Sequence, residues 1–264
     1  MTPIIDVQNL VKTFGEIKAV KGITFQVEAG EIFAFLGPNG AGKTTTIKML
    51  TTLLKPTSGT MHLNGHNPET DQAAVRSSFG IVFQDPSLDD ELTAEENLEL
   101  HGVLYGVPKE LRRKRMAQLF DIVGLADRKN DLVKHFSGGM KRRLEIARGL
   151  LHHPKILFLD EPTIGLDPQT RNHLWSYVQE LNKSEGITVF LTTHYMEEAD
   201  KVASRIAVID HGSIIAVGTS QQLKEQTKTA SLEDAFLALT GSAIRDESAS
   251  AVDRMRTFSR AWRR

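Results

Sequence analysis

The sequence contains no cysteine, which excludes disulfide bonds and thiolate chemistry and is consistent with a reducing, cytosolic compartment. It also lacks a long hydrophobic segment: its longest apolar runs are strand-length, whereas a membrane-spanning helix needs about 20 such residues. Lysine and arginine number 32 against 33 acidic residues, so the formal net charge is −1 and no overall basic field is present to hold nucleic acid. We therefore expect neither a nucleic-acid partner nor a membrane span within the chain.

The composition is that of an ordinary globular protein, with 264 residues of which 40% are hydrophobic and 25% are charged. A chain of this size can bury the core of one large domain, with or without a subdomain. Its first residues show no basic stretch followed by a sustained apolar run, so we expect no secretory signal. Any membrane role would require a partner.

Five short runs of aliphatic, β-branched and aromatic residues alternate with helical patterns. Continuous apolar strands of this kind are typical of a sheet covered on both faces, so the sequence predicts an α/β fold. A small antiparallel sheet is predicted from residues 4–27 and 60–64, and His211-Gly212 is typical of a hairpin turn. The five runs are 32–36, 81–83, 156–159, 188–191 and 206–209.

Residues 86 to about 150 lack strand-like runs and carry helical patterns instead. Thr93 and Glu96 have the spacing of a capping box at a helix start. A second helix is predicted with Leu111, Met116, Leu119 and Val123 on its apolar side. We interpret this region as an inserted helical subdomain.

The inserted subdomain belongs to a predicted domain of residues 1–222, and residues 223–264 form a C-terminal helical segment and a basic tail. After Gly241 the tail has six arginines against three acidic residues and includes Phe258 and Trp262. A frayed solvated tail is one interpretation, and a segment that docks on a membrane surface or a partner is the other.

A glycine-rich loop follows the first core strand and precedes a helix. Its glycines allow the backbone to bend around phosphate oxygens, so that amide hydrogens and the helix start face the anion. The motif predicts that the lysine reaches the β- and γ-phosphates and that the first threonine places its hydroxyl on Mg²⁺. The predicted nucleotide-binding residues of the loop are Gly37, Pro38, Asn39, Gly40, Ala41, Gly42, Lys43, Thr44 and Thr45.

Two carboxylates end a later apolar strand. Asp160 lies at the sheet edge beside the phosphate loop, where it can hold Mg²⁺ through water, and Glu161 points elsewhere. A carboxylate in the position of Glu161 can activate the attacking water as a general base, which accelerates hydrolysis by about 10²- to 10⁴-fold.

A second anion site is predicted where Ser137, Gly138 and Gly139 begin a helix.

In this order the three motifs resemble those of the ATP-binding subunit of an ATP-binding cassette (ABC) transporter, over residues 4 to about 240. The resemblance implies a P-loop NTPase (RecA-like) core with a small antiparallel β subdomain and an inserted α-helical subdomain. It also implies ATP and Mg²⁺ as cofactors, and two chains that clamp around two ATP molecules.

The resemblance assigns roles to four further positions. Gln84 matches the glutamine that contacts Mg²⁺ and the lytic water, and His194 matches the switch histidine at the γ-phosphate. Phe14 stands where an aromatic residue, usually tyrosine, stacks on adenine, and a place in the core of the small sheet is the alternative for it. Asp167 matches an aspartate that crosses the dimer interface, and it is also suited to capping a helix.

The segment 137–139 matches the signature that binds the γ-phosphate of the other subunit, although Met140 replaces the usual glutamine. Because every catalytic element is intact in one chain, we expect a homodimer, and a pair formed with a similar second ATPase is the alternative. The resemblance further implies that the helical subdomain contacts an integral-membrane permease, which places the chain peripherally on the cytoplasmic face of the cell membrane.

The wider sequence around these motifs is similar to the subfamily that exports drugs, antibiotics, lipids or polysaccharides through a separate permease. A soluble ABC ATPase acting on ribosomes or DNA and an importer ATPase are the alternatives. Two basic stretches, residues 109–115 and 141–143, could suggest nucleic acid. Each lies on a predicted helix whose other face is apolar, so we interpret both as solvated faces.

Overall fold

The computed structural model describes residues 3–85 and 87–241. The basic tail predicted for the last part of the chain lies outside the described residues. Within the described part, no helix is both long enough and apolar enough to cross a membrane.

The larger of the two sheets has six strands in the order β5-β6-β7-β3-β8-β9. All neighbouring pairs are parallel except the last, β8 with β9, which form the hairpin predicted at His211-Gly212. Every residue of β3, β6 and β7 is buried, which explains why their sequences are continuous apolar runs rather than alternating ones. The strands are β3 Ile32–Leu36, β5 Phe79–Val82, β6 Ile156–Asp160, β7 Thr188–Thr193, β8 Arg205–Asp210 and β9 Ser213–Gly218.

The smaller sheet is antiparallel, in the order β2-β1-β4, as the sequence predicts. It covers one face of the large sheet, and the interface between them contains a cluster of aromatic rings. Phe25 of the small sheet lies 5.4–5.9 Å, ring centre to ring centre, from three phenylalanines of the large one. The strands are β1 Ile5–Phe14, β2 Ile17–Val27 and β4 Ser58–Leu63.

Nine α-helices are present in the described residues. Helix α3 begins with the predicted capping box, in which the backbone and side chains of Thr93 and Glu96 bond reciprocally. Helices α3, α4 and α5 pack on one another and are called the helical region below. The helices are α1 Lys43–Leu50, α2 Gln72–Ser78, α3 Ala94–Leu104, α4 Lys109–Ile122, α5 Gly138–Leu150, α6 Pro168–Glu185, α7 Met196–Val202, α8 Ser220–Thr227 and α9 Leu232–Thr240.

The apolar side of α4 differs from the prediction. Leu111 is 40% exposed, whereas Arg112 and Phe120 are buried with Met116. The reason lies in the facing helix, where Gly102 has no side chain: a Cβ there would lie 2.2 Å from Cδ of Arg112, so the arginine stem occupies that space. The Arg112 guanidinium then donates hydrogen bonds to Glu99 at 2.5 and 2.8 Å, which neutralises its buried charge.

Candidate nucleotide-binding site

The carboxyl ends of three central strands lie level with one another. Leu36 at the end of β3 pairs with Thr193, and Asp160 at the end of β6 pairs with Thr192, both on β7. In a parallel sheet the side chains that follow such strand ends meet at one edge, which is where ligands bind. The residues after these strands therefore form one site.

The glycine-rich loop crosses this edge between β3 and α1. A Cβ on Gly37 would lie 2.3 Å from the carbonyl oxygen of Ile209, and one on Gly42 would lie 2.8 Å from that of Ala19. Gly40 and Gly42 also adopt positive φ angles of 78° and 107°. Only glycine accommodates these contacts and angles, and the loop thereby holds backbone amides at the start of α1, the arrangement that binds phosphate.

Lys43 is the first residue of α1, and its ammonium group is folded back onto the loop. Nζ donates hydrogen bonds to the carbonyl oxygens of Gly37 at 2.7 Å and Pro38 at 3.1 Å. It also lies 2.9 Å from Oε1 of Glu161, and the two side chains are only 4% and 8% exposed. A cation is thus held where the motif predicts the phosphates.

Glu161 turns toward this lysine because its backbone adopts a φ of 48°, unusual for a residue with a side chain. Its amide donates to Oγ1 of Thr192 at 3.0 Å, and its second carboxylate oxygen lies 3.0 Å from Nδ1 of His194. Burial by itself would raise the pKa of Glu161, but the hydrogen bond from His194 and the charge of Lys43 outweigh it and lower the pKa to about 2. Glu161 is therefore a carboxylate held between two partners.

Asp160, one residue earlier, faces a different set of groups. Its Oδ1 accepts hydrogen bonds from the hydroxyls of Thr192 at 2.6 Å and Thr44 at 3.2 Å, and the residue is 1% exposed. Burial raises the pKa of Asp160, in the opposite direction from its neighbour. Opposed shifts in adjacent carboxylates are typical of a site in which two acids have separate roles.

The Thr44 hydroxyl and the Asp160 carboxylate converge on one another beside the phosphate loop. Both are oxygen donors, which Mg²⁺ prefers, and a buried carboxylate with a raised pKa is stabilised by a cation. The donor set therefore fits Mg²⁺.

His194 follows β7, and 28% of its side chain is accessible. Its ring packs on that of Tyr195 at 4.1 Å. The Thr193 hydroxyl donates to Glu198 at 3.0 Å and accepts from the Tyr195 amide at 2.9 Å, which fixes the turn that carries the histidine. Lys43, Glu161 and His194 thus form a continuous chain of contacts.

Two of the predicted residues lie away from that chain. Phe14 is at the tip of the β1–β2 hairpin and is 47% exposed, with Nζ of Lys12 lying 5.0 Å from the ring centre. This exposure rules out the alternative that Phe14 belongs to the core of the small sheet. Gln84 is exposed, and among the described residues its side chain makes no hydrogen bond.

The predicted signature forms the start of α5. The hydroxyl of Ser137 accepts from the Met140 amide at 3.3 Å, a helix cap. Gly139 packs closely against α6, since a Cβ on it would lie 2.4 Å from Cγ2 of Thr170. No hydrogen bond or ion pair between described residues joins this segment to the cluster around Lys43.

Asp167 caps α6, as one of its two predicted roles requires. Its carboxylate accepts hydrogen bonds from the amides of Gln169 and Thr170, both at 3.0 Å, and from the Thr170 hydroxyl at 2.5 Å. These bonds lower the pKa of Asp167, the largest contribution coming from the Thr170 hydroxyl. The residue is exposed, so the cap leaves it accessible to a partner.

The interpretation of the basic stretches as solvated faces is wrong for two residues. Arg112 and Arg142 are 8% and 5% exposed, and each pairs with a glutamate on the helices of the helical region. The signal for the second pair was present in the sequence, because Glu145 lies three residues after Arg142 on a predicted helix.

Comparison with known proteins gives consistent matches. The ABC transporter family model matches residues 20–164. Over 223 residues the chain is 48% identical to the daunorubicin/doxorubicin resistance ATP-binding protein DrrA of Streptomyces peucetius, covering 84% of this chain and 67% of that protein. Over 220 residues it is 44% identical to the linearmycin resistance ATP-binding protein LnrL of Bacillus subtilis (strain 168), covering 83% and 70%.

A similar solved structure is the dimeric post-hydrolysis state of an ATP-binding cassette bound to ADP and Pi. It superposes with a TM-score of 0.73 at 30% identity and covers 81% of this chain and 98% of that one. The predicted P-loop NTPase fold is confirmed by this likeness. The chain belongs to the ABC transporter family, as an ATP-binding subunit with ATPase activity.

Proposed function

We propose that this subunit drives export of a drug, antibiotic, lipid or polysaccharide through a separate permease. Binding of ATP makes two subunits dimerise, and this dimerisation powers transport. The names of two similar proteins refer to resistance to daunorubicin/doxorubicin and to linearmycin, which supports a drug-like cargo. The observation that carries the proposal is the chain of contacts from Lys43 through Glu161 to His194 at the carboxyl ends of the strands.

In the structure the Lys43 ammonium group contacts two carbonyl oxygens and the carboxylate of Glu161. Phosphate oxygens compete for the same ammonium group, so ATP draws Lys43 away from both. Glu161 then loses the charge that helps to keep its pKa near 2, and its basicity rises toward that of an effective general base. Binding of the substrate thereby prepares the residue that activates water.

His194 keeps Glu161 oriented through the hydrogen bond to its second oxygen, and its accessible edge faces the entering γ-phosphate. Gln84 approaches the γ-phosphate from the end of the neighbouring strand. The exposed ring of Phe14 stacks on adenine. Thr44 and Asp160, with Gln84, would hold Mg²⁺, which would neutralise charge on the phosphates.

Two copies of the chain close around two ATP molecules. Ser137, Gly138 and Gly139 offer a capped helix start with backbone amides to the γ-phosphate bound by the other copy, and Asp167 lies beside the partner. Because one chain carries every element, the proposed dimer is a homodimer with two competent sites. Hydrolysis removes the γ-phosphate contacts, and the dimer reopens.

The helical region presents an apolar surface suited to the permease. Leu100, Val103 and Leu104 occupy adjacent positions on one side of α3 and are 52%, 54% and 73% exposed. Their spacing of three and four residues forms a single stripe, as in a helix that receives another helix. We assign this stripe to a cytoplasmic helix of the permease, which places the subunit peripherally on the cytoplasmic face of the membrane.

The test is purification of the tagged chain from its own cells after gentle detergent extraction, with identification of bound proteins by mass spectrometry. The proposal expects a multispanning permease in wild type and its loss in Leu100→Asp/Leu104→Asp, with ATP binding retained. Leu237→Asp is the control, because Leu237 is 44% exposed on a different helix, α9. Recovery of ribosomal or DNA-bound proteins without a membrane protein would contradict export.

A further inference from the structure

Arg142 holds the backbone of the loop that carries Gln84. It lies on α5, one turn after the signature, and is 5% exposed. Its two terminal nitrogens donate hydrogen bonds to the carbonyl oxygens of Phe83 and Gln84, and one of them lies 2.9 Å from Oε2 of Glu145. Only the planar fork of arginine reaches two carbonyls and a carboxylate at once.

The next turns of α5 hold the same loop further along. Glu145 is completely buried, and its Oε1 accepts hydrogen bonds from the amide of Ser87 at 2.8 Å and from its hydroxyl at 3.3 Å. Arg148 donates to the carbonyl oxygen of Ser87 at 2.6 Å and also to its hydroxyl. Every backbone polar group of Ser87 is thus engaged by α5.

Helix α5 also packs directly on the strand that precedes this loop. A Cβ on Gly80 in β5 would lie 2.2 Å from the carbonyl oxygen of Gly149 in α5. Two glycines therefore allow backbone to meet backbone, independently of the charged side chains. Helix α5 thus contacts Gly80 in the strand and Phe83, Gln84 and Ser87 in the loop.

A buried ion pair is rarely retained for stability, because desolvation offsets most of the attraction, and apolar residues of similar size can replace it. The pair can nevertheless specify a geometry, because both carboxylate oxygens of Glu145 and both terminal nitrogens of Arg142 have defined partners. Arg142 and Glu145 therefore fix the position of Gln84 relative to Ser137, because Ser137 caps α5, the helix that carries both residues.

We propose that Arg142 and Glu145 are positioning residues that couple the two ATP sites of the dimer. The inference rests on the proposed function, in which Gln84 serves the chain's own ATP and Ser137 serves the ATP of the other copy. A movement of Gln84 on binding one nucleotide is transmitted through the carbonyls of Phe83 and Gln84 to α5, and so to the signature at the second site.

The test compares ATP binding with hydrolysis in the full-length chain. Arg142→Lys keeps the positive charge beside Glu145 but loses the planar guanidinium. If the role of Arg142 were purely electrostatic, this variant would hydrolyse ATP at about the wild-type rate. We expect Arg142→Lys to bind ATP with unchanged affinity in a fluorescence titration. We expect its kcat to fall about 10- to 100-fold, as for small misplacements of reacting groups. The Hill coefficient for ATP should fall toward one.

The double variant Arg142→Met/Glu145→Leu separates coupling from stability, because it removes both buried charges together and leaves neither unpaired. It should melt near the wild-type temperature yet show the same loss of kcat and cooperativity. Arg128→Gln/Asp131→Asn, which removes an exposed pair with the same spacing of three residues, is the matched control and should behave as wild type.

Wild-type kcat and Hill coefficient in both Arg142→Lys and Arg142→Met/Glu145→Leu would overturn the inference while leaving the proposed function intact. A wild-type chain that binds ATP without hydrolysing it would instead overturn the proposed function, and this inference with it.

Discussion

Lys43 and Glu161 form a buried ion pair, with Nζ of one 2.9 Å from Oε1 of the other. They lie 118 positions apart in the sequence, and the pair exists because β3 and β6 end level with β7. The pair occupies the ammonium group that the phosphates need. It therefore makes nucleotide binding a competition between a carboxylate and the triphosphate for one lysine.

Lys43→Met should lose ATP binding and also destabilise the chain, since it leaves Glu161 buried with His194 as its remaining partner. We expect the free energy of unfolding to fall by about 3 kcal/mol, the lower end of the cost of removing one member of a buried pair, because His194 remains as a partner. Urea unfolding measures this. Lys43→Met/Glu161→Gln should recover much of the stability without recovering ATP binding; an equal loss in single and double variants would show that the pair is not coupled.

Phe14→Ala should weaken ATP binding by about tenfold, equivalent to about 1.4 kcal/mol and within the range for base stacking on an aromatic side chain. Phe14→Tyr keeps the ring and should bind as wild type. Ile17→Ala is the control, because Ile17 pairs with Phe14 across the hairpin and is 59% exposed. Fluorescence titration gives the affinities, and equal weakening by both alanine variants would refute stacking by Phe14.

Gly139→Ala should leave ATP binding to one chain intact but impair hydrolysis, because its Cβ would lie 2.4 Å from Cγ2 of Thr170 and would displace the start of α5. Adding Thr170→Ser removes that methyl group and retains the hydroxyl that bonds to Asp167 at 2.5 Å. Gly139→Ala/Thr170→Ser should therefore recover activity in a phosphate-release assay. Failure of the second change to restore hydrolysis would show that the steric account of Gly139 is wrong.

Stability should depend on pH through two neighbouring histidines, His101 on α3 and His152 after α5. Burial, followed by the nearby charge of Arg148, lowers the pKa of His101 to about 4, and burial likewise lowers that of His152 to about 4. The unfolded chain, with a histidine pKa of 6.5, binds more protons between these values. The free energy of unfolding should fall as pH decreases from about 6.5 to 4.

His101→Phe keeps the ring packing on Tyr105 and should reduce this pH dependence when melting temperatures at pH 7.5 and 5 are compared. His173→Phe, a change at an exposed position on α6, should not reduce it. The account of the buried imidazole would fail if both variants kept the wild-type dependence.

The central strands and the phosphate loop could be predicted from the sequence, because strands buried on both faces are continuous apolar runs and the loop has a specific glycine spacing. The ion pair between Lys43 and Glu161 could not, since it depends on the register of β6 with β7 and on the positive φ of Glu161. The burial of Arg142 was also missed, because a charge on a helix is usually solvated and its partners are backbone carbonyls from another segment.

The exposure of Phe14 could not be decided from the sequence either. An aromatic residue near the end of a strand suits a core or a ligand equally well, and only its place at the hairpin tip separates the two. The tight packing of Gly139 on Thr170 is likewise a tertiary contact without a local signal, although the glycine itself belongs to a predicted anion site.

The most direct test of the account is the hydrolysis rate of Glu161→Gln at saturating ATP, measured with the oligomeric state by light scattering. We predict that it binds ATP, hydrolyses it about 10²- to 10⁴-fold more slowly than wild type, and accumulates as a closed dimer. Glu197→Gln, an exposed carboxylate three residues after His194, should hydrolyse ATP at the wild-type rate as a monomer–dimer mixture. Near wild-type turnover by Glu161→Gln would contradict the assignment of Glu161 as the general base.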